Sequence, residues 1–298
     1  MPELPEVETI RRDLEKVLIG KKIVDVTLSK TKVIRTHPKQ LKKTLLNNHI
    51  IRVERIGKLL MFALASGEYL LVHLKMTGQL FYAFGPHVSA RGGHSLSKEM
   101  DNTLPNKYTQ AVFTFACHPK PGGRRMDDGG RLFLNDRRLF AYLQLVDEKQ
   151  KLAIMETYGI EPLTPHFTFD RFSKIFQGRK TNLKAVLLNQ TLIAGIGNIY
   201  ADEICFASGV KPTRIAGRLT KAEIASLWHA TQDLIKRAIE ARGTTFNSYV
   251  DGEGRQGSFL QQLCVYGKGG KPCLRCGILL KKIRLAGRGT VFCLKCQE

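Results

Sequence analysis

Val7, Ile10, Leu14, Val17 and Leu18 recur at helical spacing, with Arg11, Arg12, Glu15 and Lys16 between them and Gly20 behind them. This pattern predicts one amphipathic helix that begins just after the N-terminus and is stopped by the glycine. From Lys22 to Val146 the period shortens. Apolar or alternating runs at 23–28, 50–56, 59–64, 69–74, 111–115, 132–134 and 140–146, separated by turn residues, predict strands. Many short strands at this spacing predict an antiparallel sandwich or barrel. Residues 84–107 are polar and rich in Gly, Ser and His, and are expected to form a loop or insertion with little structure of its own.

Beyond Asp147 the pattern changes again. A proline-bearing connection leads to helices expected near 168–177, 181–189, 196–207 and 220–241, the last announced by the capping box Thr220-Lys221-Ala222-Glu223. After Arg242 come a Gly-rich polar stretch and then paired cysteines. The chain therefore reads as an α+β multidomain protein. An antiparallel β-sandwich with its N-terminal helix is expected over 1–148, a helical domain over 149–255 and a cysteine-bearing hairpin domain over 256–298.

Charge narrows the choice of partner. Forty-seven Lys and Arg against 26 Asp and Glu leave a net +21, the electrostatic footprint of a polyanion and most often of nucleic acid. An anionic membrane surface is the competing partner, but no long basic amphipathic helix supports it. The longest apolar run found, residues 59–65, falls short of the roughly 18 residues of a membrane span, and the acidic N-terminus lacks a signal-peptide core. Seven cysteines, an odd number and mostly in CxxC pairs, fit a reducing compartment and a metal rather than disulfides. The expected location is the cytoplasm, with association to the nucleoid through DNA.

Two stretches carry chemistry. If Met1 is removed, which its small neighbour Pro2 favours, the chain begins with a secondary amine beside Glu3. An α-amino group has a reference pKa of about 7.7–8.0, so part of it is an unprotonated nucleophile at neutral pH. A secondary amine joined to a sugar carbon forms an iminium that is cationic without a proton, an electron sink for elimination, and Glu3 is placed to shuttle protons. The bland alternative is that Pro2-Glu3-Leu4-Pro5-Glu6 is a stiff lead-in to the helix. The second stretch is Cys273-Leu274-Arg275-Cys276 and Cys293-Leu294-Lys295-Cys296, two knuckles separated by 16 residues. Four thiolates at that spacing suit one tetrahedral zinc with no open position, a structural site. Between them a hairpin is expected, whose turn 286–289 carries Arg288. Cys117, Cys205 and Cys264 read as core thiols.

Residues 2–9, Pro-Glu-Leu-Pro-Glu-Val-Glu-Thr, resemble the start of the bacterial formamidopyrimidine-DNA glycosylases, which excise oxidised purines. Four further stretches are similar to that family: 73–78 around Met76, 135–141 around Asp136 and Phe140, 194–203 opening on Gly195-Ile196-Gly197-Asn198, and 262–293 through the knuckles. The resemblance implies a helix-two-turns-helix domain and a C-terminal zinc finger. It implies Pro2 and Glu3 as catalytic, with Lys58 and Arg288 binding phosphates and assisting the chemistry. Met76, Arg138 and Phe140 would fill the gap left by an extruded base, which needs apolar bulk and a donor for the orphaned partner. Asn198, Lys180 and Tyr108 stand at DNA-contacting positions, Tyr108 where the family commonly has histidine. Leu139 stands where a second basic residue is usual, and 84–107 is longer and unrelated. The Gly-rich stretch 243–254 resembles a loop that closes over the flipped base.

The expected function is thus a bifunctional glycosylase and AP lyase acting as a monomer on damaged duplex DNA, with one structural zinc and no nucleotide cofactor. Two alternatives stay open: a non-catalytic zinc-ribbon DNA-binding protein, and the sister branch that prefers oxidised pyrimidines.

Overall fold

The computed structural model describes residues 1–29, 31–84, 87–93, 104–116, 129–244 and 258–298, with 31 and 87–93 described by their backbone alone. The chain divides into two compact units, Met1–Met155 with Arg242–Ser258, and Glu156–Ala241 with Phe259–Glu298.

The first unit opens with α1 (Leu4–Leu18), followed by β1 (Ile23–Leu28), α2 (Pro38–Leu45), β2 (Ile50–Ile56), β3 (Leu59–Leu64), β4 (Tyr69–His73), β5 (Gly78–Phe84), β6 (His87–Gly93), β7 (Thr109–Phe115), β8 (Arg131–Asp136), β9 (Tyr142–Val146) and α3 (Glu148–Glu156). All strand pairings are antiparallel within a five-stranded sheet ordered β1-β7-β8-β5-β6 and a four-stranded sheet ordered β2-β3-β4-β9. Their apolar faces meet in one core. Phe62, Leu70 and Val72 of one sheet pack with Phe113, Phe115 and Leu132 of the other, and Val7, Ile10, Leu14 and Leu18 of α1 join them. The expected sandwich is present, and its helix is anchored in the core rather than trailing from it.

Four elements of this unit escaped the sequence pattern, among them α3, which buries only Lys151 and so shows no apolar face. The short helix α2 buries only Leu41 and Leu45, one turn apart, too few positions to show a period. Strand β5 is buried along most of its length, so it lacks the alternation of a half-exposed strand. Strand β6 corrects the expectation for 84–107: residues 87–93 pair with β5 at the sheet edge, where the ladder needs backbone donors and tolerates polar residues. Residues 94–103 and Cys117 lie outside the described residues.

The charged stripe of α1 is tied down by one carboxylate. Glu8 accepts from Arg11, from Arg12 Nε at 2.7 Å and from Arg55 Nε of β2 at 3.0 Å. Burial alone would raise its pKa, but the Arg11, Arg55 and Arg12 guanidiniums override it and hold the carboxyl at about 2. Its unfolded value is near 4.5, so the depressed pKa stabilises the fold above that pH, and the gain is lost as pH falls toward 2. After allowance for partial solvent screening it amounts to about 2 kcal/mol. Glu8→Gln is expected to lose about that much in urea unfolding at pH 7, with the difference from wild type falling to roughly half by pH 3.

The second unit contains α4 (Phe169–Lys174), α5 (Leu183–Leu188), α6 (Asn198–Ser208), α7 (Lys221–Glu240) and the hairpin β10 (Lys281–Leu285) and β11 (Arg288–Phe292). The capping box of α7 forms, with the Thr220 hydroxyl accepting from the Glu223 amide and Glu223 accepting from the Thr220 amide. Phe206 of α6 packs with Val265, Leu280 and Val291 and with Cys273 and Cys293. Among the described residues no helix is long and apolar enough to cross a membrane.

Candidate functional site

In the first unit the candidate residues sit at the ends of core elements. Pro2 is buried, and Glu3, 2 % exposed, is the N-cap of α1. Met1, ahead of Pro2, is exposed. Glu6 joins this terminus to a distant segment: Oε2 accepts from the Glu3 amide at 2.9 Å, and Oε1 from the Thr244 amide at 2.8 Å and hydroxyl at 3.0 Å. Between them Gly243 has φ +81°, and a Cβ there would lie 2.7 Å from Glu6 Oε1. Arg242 pairs with Asp13 of the same helix. The rest of the Gly-rich stretch, 245–254, lies outside the described residues.

Lys58, 5 % exposed, is the second residue of the two-residue turn between β2 and β3. Arg55 braces that turn by donating Nη1 to the Gly57 carbonyl at 2.8 Å while its Nε holds Glu8. A chain of Glu8, Arg55 and the Gly57 carbonyl thus links α1, which starts at the amine, to the backbone beside Lys58.

Met76 (38 % exposed), Arg138 and Phe140 (48 % exposed) are brought together. Arg138 lies over the Phe140 ring at 4.5 Å and its Nη1 is 3.8 Å from Met76 Sδ. The organiser is Asp136, 1 % exposed, which accepts the Arg138 amide at 3.1 Å, the Ala141 amide at 2.7 Å and the Thr77 hydroxyl. Leu139, between the two exposed residues, adopts φ +57°, which turns the loop back on itself. Gly78 permits the close approach of the two turns: a Cβ there would meet the Leu74 carbonyl oxygen at 2.5 Å and Ala141 Cβ at 2.9 Å. Tyr108 is half-buried beside them, its carbonyl accepting the Asp136 amide at 2.9 Å. Exposed apolar tips on a loop fixed by a buried carboxylate can enter a base stack without reorganising.

The second unit carries the other candidates. Asn198 is the first residue of α6, behind Gly195 (φ +92°) and the N-cap Gly197. Its Oδ1 is buried with no hydrogen-bond partner among the described residues. Gln190 shapes this turn, accepting from the Gly195 amide at 3.0 Å and donating to the Ile196 carbonyl at 2.8 Å. Lys180 is exposed between α4 and α5. Arg288 is exposed at the start of β11, paired with Leu285 across a two-residue turn, Ala286-Gly287, both at positive φ. The turn is therefore shorter than expected and Arg288 belongs to the strand.

Behind Arg288 lies a buried network that sequence reading missed. Lys184 and Asp202 are fully buried and 2.7 Å apart. Lys184 Nζ also donates to the Gly289 carbonyl at 3.0 Å and the Thr290 hydroxyl at 2.8 Å, and Asp202 accepts the Val291 amide at 3.0 Å. Glu203 takes the amides of Cys264, Val265 and Tyr266, each at 2.8 Å. The signal was present as charges interrupting the apolar runs of α5 and α6.

The sulfurs of Cys273, Cys276, Cys293 and Cys296 all lie within 4.8 Å of one another. Amides of Arg275 and Cys296 point at Cys273 and Cys293 sulfurs, each at 3.4 Å. Burial raises the Cys293 thiol, yet the Cys296 and Lys295 amides prevail and hold it at about 7, while hydrogen bonding to Cys276, burial and the nearby Cys293 push Cys296 up to about 12. Four thiols so crowded cannot all ionise without a cation among them, and a closed tetrahedral zinc fits this donor set. Of the remaining thiols, Cys205 is buried and Cys264 half-buried.

Comparison with known proteins gives concordant matches along the chain. Residues 1–143 match the formamidopyrimidine-DNA glycosylase N-terminal domain, 158–250 the formamidopyrimidine-DNA glycosylase H2TH domain, and 270–298 the zinc finger found in FPG and IleRS. The formamidopyrimidine-DNA glycosylase of Pelotomaculum thermopropionicum is 38% identical over 301 residues, covering 100% of this chain and 99% of the relative. Lactococcus lactis Fpg in complex with abasic-site DNA superposes with a TM-score of 0.84 at 32% identity over 99% of both chains. The same Lactococcus protein with N7-benzyl-Fapy-dG DNA gives 0.84 at 32% identity over 100% of both.

Proposed function

The chain belongs to the formamidopyrimidine-DNA glycosylase family, and we propose that Pro2, freed of Met1, is the nucleophile of its reaction. The protein is a DNA glycosylase and AP lyase of base excision repair, and its partner is damaged duplex DNA. Oxidised purines, 8-oxoguanine and formamidopyrimidines, are the lesions the family typically takes.

In this reading the Pro2 nitrogen bonds to C1′ as the bond from C1′ to the base breaks, and the base departs with a proton. Opening of the sugar ring leaves an iminium at C1′, which accepts the electron pair released when a C2′ proton is removed and the 3′ phosphate is expelled. A second elimination expels the 5′ phosphate, and water releases the amine. Glu3, fixed as the N-cap, carries protons to and from the sugar. Lys58 and Arg288 bind and polarise phosphates. Met76, Arg138 and Phe140 hold the gap, Tyr108 lies against DNA beside them, and Asn198 and Lys180 take flanking phosphates. The working parts are a catalytic sandwich over 1–148, a helical DNA-binding part over 149–255 and the finger over 256–298. Cysteines 273, 276, 293 and 296 hold one structural zinc. The enzyme works as a monomer on cytoplasmic DNA at the nucleoid.

The observation that carries this reading is the burial of Pro2 and Glu3 at the start of a helix whose apolar face lies in the sandwich core, which fixes the amine in space. Borohydride reduction with a duplex carrying 8-oxoguanine is expected to trap a one-to-one covalent adduct mapping to Pro2, and faster excision of 8-oxoguanine than of thymine glycol. Absence of any adduct with the Met1-processed protein would return the chain to the class of DNA-binding modules.

A further inference from the structure

Beside the Met76 turn, two cations share one aromatic ring. The Arg35 guanidinium carbon lies 3.5 Å from the centroid of Tyr142, and Lys75 Nζ lies 5.7 Å from the same point. His73 completes the group, its ring 5.6 Å from Tyr142 and its Nδ1 accepting the Lys75 amide at 3.0 Å. Burial and the nearby charges of Lys75, Lys58 and Arg35 hold His73 down to about 3, so it stays neutral, and burial with Arg35 also lowers Lys75. Arg11, Arg12, Arg52, Arg55, Arg214, Arg237 and Arg242 each meet a carboxylate. Among the described residues Arg35 and Lys75 meet none. Lys75 moreover adopts φ +50°, a left-handed conformation that a lysine enters only when its surroundings impose it.

We infer that Arg35 and Lys75, stacked on Tyr142, form a binding site for a backbone phosphate of the DNA duplex. Like charges gathered without a counter-ion repel each other until an anion sits between them, and a stacked guanidinium keeps its donor edge free for oxygen. Position selects the anion. Lys75 immediately precedes Met76, Tyr142 lies two residues beyond Phe140, and Tyr142 pairs with His73 across β4 and β9. A duplex with Met76 and Phe140 in its base stack runs its phosphates past this edge. Such a contact positions the duplex and carries no sequence information. The inference rests on the reading of Met76, Arg138 and Phe140 as the residues that enter DNA.

The test is the salt dependence of binding by the full-length protein to a duplex containing a tetrahydrofuran abasic analogue and to the same duplex undamaged. Arg35→Gln and Lys75→Gln are each expected to reduce the slope of log K against log salt by about 0.9, and the double variant by roughly twice that, equally on both duplexes. Thermal melting identifies variants that keep the fold. Unchanged slopes in the folded single variants would overturn the site. If the slopes fall but the wild-type protein yields no borohydride adduct, the phosphate site stands and the catalytic reading fails; the converse result removes the site and leaves the catalysis.

Discussion

Protein that retains Met1 is expected to bind damaged duplexes but to lose cleavage by a factor on the order of 10³ or more, because oriented intramolecular nucleophiles supply effective molarities of about 10⁵ M and above. Acylated by methionine, the Pro2 nitrogen gives its lone pair to the peptide bond and cannot add to C1′. The comparison needs two preparations of one sequence, with and without the initiator, assayed for single-turnover cleavage and for borohydride trapping. Pro2→Gly, processed to a free amine, is expected to trap more weakly, since its imine is an electron sink only when protonated. Full-speed cleavage by the Met1-bearing chain would assign the chemistry to another nucleophile.

Loss of the metal is the second large effect. Apparent binding energies of structural zinc reach about 10–16 kcal/mol in small finger domains, and in this chain two of the four sulfur-bearing residues, Cys273 and Cys293, are buried in the small core where Val291 of the Arg288 hairpin packs with Phe206 of α6. Chelation, or Cys276→Ser, is expected to release one zinc per chain and to weaken binding to a lesion duplex on the order of 10²-fold, the value of one or two lost charged hydrogen bonds. A dye assay for released zinc, run beside a binding titration, measures both. Unaltered affinity in zinc-free protein would mean that the hairpin folds, or binds, without its metal.

Much of the candidate site was legible because its residues are local in sequence. The two CxxC knuckles, the terminal Pro2-Glu3 and the 135–141 stretch each announce themselves within a few residues. Helix α1 and seven of the nine strands among the described residues of the first unit followed from apolar spacing, since their buried faces are periodic. What stayed hidden depends on partners far along the chain. Asp136 marks the resemblance, but its part as organiser of the loop shows only when Thr77 and the Ala141 amide close on it. Lys184 shows its partners only when it is found buried against Asp202 and Thr290, and Arg35 gains meaning only when a strand more than a hundred residues later places Tyr142 under it. Strand β5 was hidden for the opposite reason, being buried without alternation.

The return of residues 242–244 to the first helix has a practical corollary. A fragment cut after Met155 would leave Asp13 without Arg242, and Glu6 without Thr244, so the sandwich expressed alone should be frayed at the very end that carries its amine. The helical and finger segments are likewise two pieces of chain that a single protease nick cannot liberate as one. Separating cutting from gripping in this enzyme therefore calls for circular permutation or for co-expression of fragments, not truncation.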